Sequence, residues 1–188
     1  MTAEELLQRY RAGERNFSGV HITKGNLIRA NLCGINLTEA RLSRCLLVAA
    51  NLDGSNLRRA NFSGSDLTRV TIRDSDLEGA ILSGCDLIGS TFNYSMMRQA
   101  SFQRSLLDGA VFNRANLVEA NFSVASLYGV RFLACDMRES NIEEAHGNPD
   151  FTDTSLSGAK TFSFETMLKN AIFCRTTMPD GIIRSDGC

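Results

Sequence analysis

Residues 30–69 read, in groups of five, ANLCG INLTE ARLSR CLLVA ANLDG SNLRR ANFSG SDLTR. The third letter of every group is Leu or Phe, and the first is small in all but one. The phase extends well beyond this stretch. From Phe17 to Ile142, the 26 positions at steps of five are all Leu, Phe, Ile or Met. Two residues before each (position i−2, taking the large residue as i) stands Ala, Ser, Cys, Val or Gly, with Arg15 and Ile35 as exceptions. A period of five fits neither the 3.6 of a helix nor the 2.0 of a strand. The chain must therefore turn in step with its own repeat.

A turn of about 90° in every five residues closes a square in about twenty, with i and i−2 inside and the other three positions in water. Squares stacked at the ~4.8 Å spacing of β-structure pair their backbone groups from coil to coil. Four large residues fill each layer, so the corners have to be lean. The expected product is an all-β solenoid in which each coil touches only its neighbours. Phe92, Phe112 and Phe132, twenty apart, should then form one column of rings on one side.

The groups ANLCG (30–34), ANLDG (50–54), ANFSG (60–64), ANLVE (115–119) and ANFSV (120–124) resemble the consensus of the pentapeptide-repeat family. The resemblance covers about residues 15–145 in phase and runs more loosely to 178. It implies a right-handed quadrilateral β-helix. It implies little about function, because one fold hosts many. Some members of the family resemble B-form DNA in size and charge and occupy the DNA site of gyrase, giving quinolone resistance. The C-terminal end resembles those of cyanobacterial members.

Length allows a single domain over 1–188, divided into an N-terminal capping helix (1–13), an in-phase repeat (14–145), a loop (146–150) and out-of-phase final coils with a C-terminal cap (151–188). Thr2 and Glu5 read as a capping box, Gly13 as the residue just past the helix, and Leu6, Leu7 and Tyr10 as its apolar side. Such a helix would cover the open first coil. After HGNPD (146–150), Phe151 and Leu156 shift the phase by one. Leu168, Phe173 and Met178 form a third phase with Thr166, Ala171 and Thr176 as small partners, and a helical turn capped by Ser163 is expected over 162–170. Net charge is −1, and the N-terminus lacks the apolar core of a signal peptide. No stretch has the apolar length of a membrane helix. The expectation is a cytoplasmic protein without nucleic-acid or membrane partners.

Of the six cysteines, Cys45, Cys85 and Cys135 fall at i−2 and read as small buried filler, while Cys33 faces outward. Cys174 and Cys188, fourteen apart in the cap, could bridge, although a reducing cytoplasm opposes it. The two histidines, His21 and His146, lie about six coils apart and cannot share a site in a rigid rod. Asp66, Asp76, Asp86 and Asp136 stand at i−1, where Asn also serves, so hydrogen bonding to local backbone explains them better than acid–base chemistry. Hexapeptide β-helices carry acyltransferases with a catalytic His, but the period here is five. The sequence therefore reads as non-catalytic, with no cofactor or metal.

Function then has to lie in the outer faces. The side centred on Leu37, Leu57 and Leu77 stacks Arg58, Glu78 and Arg98 with alternating sign, and reads as a solvated charge ladder. The side centred on Leu27, Leu47 and Leu67 turns Ile28, Leu46, Val48, Ile88, Leu106 and Tyr128 outward, with Gly89, Gly109 and Gly129 among them. These six form the candidate interaction surface, for an unidentified protein partner or a homodimer. Residues 1–70 hold ten basic and six acidic residues, and 71–145 hold six and ten. DNA mimicry asks for a continuous acidic track, and Arg58, Arg59, Arg69, Arg73, Arg98, Arg104 and Arg114 interrupt one. The sequence thus reads as a regulatory protein-interaction scaffold, with a DNA-mimic inhibitor or protector of gyrase as the alternative.

Overall fold

The computed structural model describes residues 1–161 and 170–188. Helix α1 (Ala3–Arg11) opens with the expected capping box. The Thr2 hydroxyl accepts from the Glu5 amide at 3.1 Å, and the Glu5 carboxylate accepts from the Thr2 amide at 2.8 Å. Leu6 and Ala3 are buried against the first coil, and the Tyr10 hydroxyl donates to the Cys33 carbonyl at 2.7 Å. Gly25 explains how the helix fits. A Cβ there would stand 2.5 Å from a methyl of Ile22 and 3.0 Å from the Ala3 Cβ, so only glycine admits the helix.

Beyond α1 the chain winds into stacked coils whose residues pair in parallel with those twenty further on, from Asn16↔Asn36 to Asn121↔Asn141. Each coil has four five-residue sides, named here from first to fourth by the inward residues Leu37, Leu42, Leu47 and Leu52. Longer ladders appear as β1 (Val111–Asn113) on β3 (Arg131–Leu133), and β2 (Ser126–Leu127) on β4 (His146–Gly147). All 26 in-phase large residues are at most 2% exposed.

Each side turns by the same local device. The residue at i+2 has positive φ at every position from Gly19 to Glu144, with values of 51° to 61° where it is not glycine. At i−1 the Asn or Asp side chain accepts the backbone N–H of i+1, as in Asn26 to Ile28 (3.1 Å) and Asp66 to Thr68 (3.0 Å). Asn and Asp do identical work here, which is the local backbone role expected of the carboxylates.

The i−2 position proves to be more than a lean corner. It alternates with a period of ten. At two opposite corners stand Ala or Val, such as Ala40, Ala60, Ala80, Ala50 and Val70, whose N–H closes the turn directly, as in Ala60 to Leu57 at 3.0 Å. At the other two Ser, Thr or Cys prevail, with Gly25, Ile35, Ala115 and Ala125 among the exceptions, and the side chains of the former stitch coil to coil. Ser75 Oγ accepts from the Ser55 amide at 3.1 Å and donates toward the Leu52 carbonyl at 3.1 Å. Ser95 and Ser105 donate likewise to the carbonyls of Ile72 and Leu82. Cys85 and Cys135 place Sγ on the same carbonyl positions, at Phe62 and Phe112.

The Phe column is present: ring centroids of Phe92 and Phe112 are 4.8 Å apart, and those of Phe112 and Phe132 4.9 Å. It continues through Phe151 to Phe173 at 5.3 and 5.8 Å. A second column, Phe102 on Phe122 at 4.8 Å, meets it edge to face.

The segment 146–150, expected as a loop, instead keeps the ladder. His146 and Gly147 pair with Ser126 and Leu127, and Asp150 bridges both Arg131 and Ile172. The phase breaks because this coil is one residue short, Arg131 pairing with Asp150. Gly147 takes the inward position where a large residue is due. A Cβ on it would lie 2.5 Å from the Leu127 carbonyl carbon, and its φ is 132°. Backbone thus fills the layer, and the side closes early. Phe151, Leu156, Phe173 and Met178 are buried, and the last coil step lengthens to 22 residues at Asp150↔Ile172 and Ser155↔Thr177. Strands β5 (Thr176–Thr177) and β6 (Ile183–Arg184) form an antiparallel end to the cap, where Cys174 and Cys188 are joined with Cα atoms 4.8 Å apart. The helical turn expected from Ser163, with Thr166 and Leu168, lies outside the described residues.

Candidate interaction surface

All six residues singled out from the sequence point outward on the third side. Tyr128 is 55% exposed, Leu106 47%, Ile28 43%, Leu46 42% and Ile88 38%, while Val48 is half-buried. The side does not carry them as one strip. Ile28, Leu46 and Val48 cluster on the first two coils, and Ile88, Leu106 and Tyr128 on the fourth to sixth. The third coil between them presents Asp66, Thr68 and Arg69. The step from i+1 to i−1 of the next coil brings the Ser126 hydroxyl to Asp108 at 2.5 Å and the Tyr128 ring to His146 with centroids 5.8 Å apart, and Ile28 and Leu46, like Ile88 and Leu106, hold the same relative positions. The glycines at the corner keep the surface flat, and the stem of Arg69 lies over Gly89.

Apolar exposure also occurs where the sequence reading did not look. Met96 is 54% exposed and Tyr94 51%, and together they line an open cavity with Gly54, Asp74 and Asp76 at the corner between the fourth and first sides. Their signal was departure from type: an aromatic at i+2 and a thioether at i−1, where Asn and Asp prevail. In the cap, Met178, Pro179, Asp180, Ile182 and Arg184 line a groove of ≈ 420 Å³.

The first side is a charge ladder with specific pairing. Arg58 reaches Asp76 at 3.1 Å and Glu78 at 2.6 Å, Arg59 reaches Glu39 at 3.6 Å, and Arg98 turns away from Glu78 to Glu119. Asp136 is held below the usual carboxylate range chiefly by its hydrogen bond from Arg138. Burial pushes the Cys85 thiol up to about 11 and Cys135 to about 12, which keeps both protonated and inert. His21 bridges Arg41 on the second side, and His146 sits on the third side at the far end. Among the described residues no group of His, Cys, Asp and Glu could hold a metal, and no helix is long and apolar enough to cross a membrane.

A parallel solenoid of five-residue sides, with buried large residues at i and outward faces of distinct character, defines a repeat-protein scaffold. The chain belongs to the pentapeptide repeat family, whose repeat description matches it in eight copies over residues 16–50, 35–74, 45–84, 72–109 and 105–143. Among solved structures it is similar to HetL, a pentapeptide repeat protein involved in heterocyst differentiation regulation from the cyanobacterium Nostoc sp. strain PCC 7120. The two are 24% identical, the match covers 98% of this chain and 100% of HetL, and the TM-score is 0.66. That likeness is one of fold. A pentapeptide repeat protein from the Arabidopsis thaliana thylakoid lumen is 24% identical over 64% of this chain and 70% of its own, with a TM-score of 0.47. QnrB1, a plasmid-mediated fluoroquinolone resistance protein, is 17% identical over 79% of this chain and 92% of its own, with a TM-score of 0.42. No curated protein sequence matches the chain.

Proposed function

We propose that this protein is a non-catalytic regulatory scaffold of the cytoplasm, its coil right-handed, which docks a protein partner or a second copy of itself on the third side. The observation that carries the reading is the exposure of Ile28, Leu46, Ile88, Leu106 and Tyr128 on one flat face. Monomeric proteins seldom leave apolar groups clustered in water without use for them. The regulatory element extends to this chain what is stated of HetL. A specific contact would bury ~800 Å² on each partner, and the reading has the partner span both clusters. The double variant Val48→Lys, Ile88→Glu tests the reading. It should melt like the wild type, because both side chains face outward, and should weaken self-association in sedimentation velocity or recovery of the partner in a pull-down. Unchanged behaviour in both would assign the third side to inter-coil stacking alone. DNA supercoiling by gyrase is expected to be unaffected; its inhibition by the purified protein would move the reading to DNA mimicry.

A further inference from the structure

Charge is segregated among the four sides in a way that net charge conceals. The first, third and fourth sides each mix acids and bases. The second side, read through its first six coils (residues 20–24, 40–44, 60–64, 80–84, 100–104 and 120–124), contains no carboxylate, and Glu143 and Glu144 bound it on the seventh. Its outward positions carry Lys24, Arg41, Arg44 and Arg104, with His21 beside them. None of these four cations forms an ion pair among the described residues, a state shared on other sides by Arg29, Arg69, Arg114 and Arg131, whereas Arg58, Arg59, Arg73, Arg98 and Arg138 are paired. Between the cations runs a ladder of small polar groups, Thr23, Ser43, Ser63, Ser83, Gln103 and Ser123, one to a coil.

The edges of this side favour the same polarity. Along the corner shared with the first side, His21, Arg41, Asn61 and Ile81 line an open groove of ≈ 600 Å³ with Gly19, Glu39 and Arg59. Glu39 in its lip is answered by Arg59, and Glu119 further along by Arg98. Around the other corner, Asp66 and Asp86 are engaged by the backbone amides of Thr68 and Ile88. The stem of Arg44 lies over Gly64 of the next coil.

We propose that the second side is a docking surface for a carboxylate-rich segment of a protein partner, bound extended along the solenoid axis. Lys24 and Arg104 are four coils apart, ~19 Å at the ~4.8 Å coil spacing, which about six residues of extended chain span at ~3.3 Å each. The segment should bear acids at both ends, over Lys24, Arg41 and Arg44 at one and Arg104 at the other, with small polar residues between them over the Ser ladder. The page disfavours nucleic acid on this side. A duplex offers one charge per ~1.7 Å, far denser than four cations in ~19 Å, and single strands want aromatic platforms, while Tyr94 and Tyr128 lie on other sides. The inference is independent of partner docking on the third side.

Fluorescence anisotropy with a labelled octapeptide, Asp-Glu at each end and Gly-Ser between, tests it at 50 and 300 mM NaCl. The wild type should bind at low salt and weaken at high salt. Arg44→Glu with Arg104→Glu should weaken binding by about tenfold or more, and Arg29→Glu with Arg69→Glu on the third side by less than about twofold. If the reversed pair melts low, Arg44→Gln with Arg104→Gln is read instead, with a loss of about threefold expected. Equal losses in the second-side and third-side variants would mean diffuse charge attraction and overturn the proposal. So would absence of binding at 50 mM NaCl, or displacement of the peptide by a thymidine dodecamer or a 20-bp duplex at lower concentration than by unlabelled peptide.

Discussion

Replacing Ser75 by alanine removes one oxygen from a corner that three backbone groups use. Its hydroxyl accepts from the Ser55 amide at 3.1 Å and lies 3.1 Å from the Leu52 carbonyl and 2.8 Å from that of Arg73. Ser75 is 3% exposed, so water cannot take its place. Leaving a buried donor and a buried acceptor unpaired costs about 1–3 kcal/mol each, so the variant should lose roughly 2–6 kcal/mol. Ser140 makes the opposite case. It occupies a corner of the Ala type, where its own N–H closes the turn to Met137 at 3.1 Å, and its buried hydroxyl has no partner among the described residues. Ser140→Ala should therefore gain about 1 kcal/mol. With a urea slope of ~2 kcal/mol/M, Ser75→Ala should lower the unfolding midpoint by roughly 1–3 M and Ser140→Ala raise it by roughly 0.5 M. Midpoint shifts of equal sign and size would refute the ten-residue alternation of corners, and with it the claim that hydroxyls at i−2 stitch the coils.

Other consequences follow from the same geometry. Leu87→Ala should cost about 2–5 kcal/mol in the same melts, and Ala60→Leu about 1–3, because the fully buried corner at Ala60 has no room. Val124 holds φ of 61°, a left-handed conformation that suits a β-branched residue badly, so Val124→Gly should raise the midpoint by the equivalent of about 1 kcal/mol. In the native protein a thiol reagent at pH 8 should label Cys33 quickly and Cys45, Cys85 and Cys135 only after unfolding. Since burial raises the folded pKa of Cys85 and Cys135 to about 11 and 12, stability should be level below the unfolded thiol pKa of ~8.5 and fall as pH rises from there toward those values, a loss that Cys85→Ala should reduce. Reduction with dithiothreitol, or Cys188→Ser, should lower the stability of the cap by up to about 3 kcal/mol, the chain-entropy value for a loop of ~15 residues; identical melts with and without reductant would mean that Cys174 and Cys188 are not bridged.

The path of the chain was legible because the repeat imposes one constraint 26 times, and volume at i and i−2 is written directly in residue type. The left-handed i+2 residue was not, since Arg, Glu and Tyr occupy it as readily as Gly, and the strain at each is small enough for the ladder on either side to hold. The closure at 146–150 misled for a physical reason. Gly, Asn and Pro together signal a loop, yet here Gly147 lets backbone lie under Leu127 and keeps the pairing intact. Counting in twenties turns the six residues of the third side outward and already sets Asp66, Thr68 and Arg69 as an interruption of their run, and the structure shows the outward exposure. Met96 and Tyr94 were missed because the count looked at one side at a time, and their cavity lies on a corner that two sides share.

A scaffold of this kind constrains the outward position i−1, and that makes departures there informative. At i−1, Asn or Asp gains a hydrogen bond to the i+1 amide; at i+2, the left-handed backbone is served best by Gly. Folding alone therefore favours polar residues at the first, while the second takes Gly, Arg, Glu and other types alike. Met96 on the first side, Ile81 on the second and Val111 on the fourth break the rule at i−1, and on the third side so do Leu46 and Leu106. Each leucine gives up the side-chain acceptor for the amide two residues on, at Val48 and Asp108, and each stands more than 40% exposed. A local bond of that type is worth about 1 kcal/mol, and exposing a leucine returns nothing to the isolated monomer. These two alone share a side, and each stands one coil after an apolar residue at i+1, Leu46 after Ile28 and Leu106 after Ile88. Covered by a partner, the same leucines would recover on binding what they give up on folding, which is the strongest physical ground for placing the partner there.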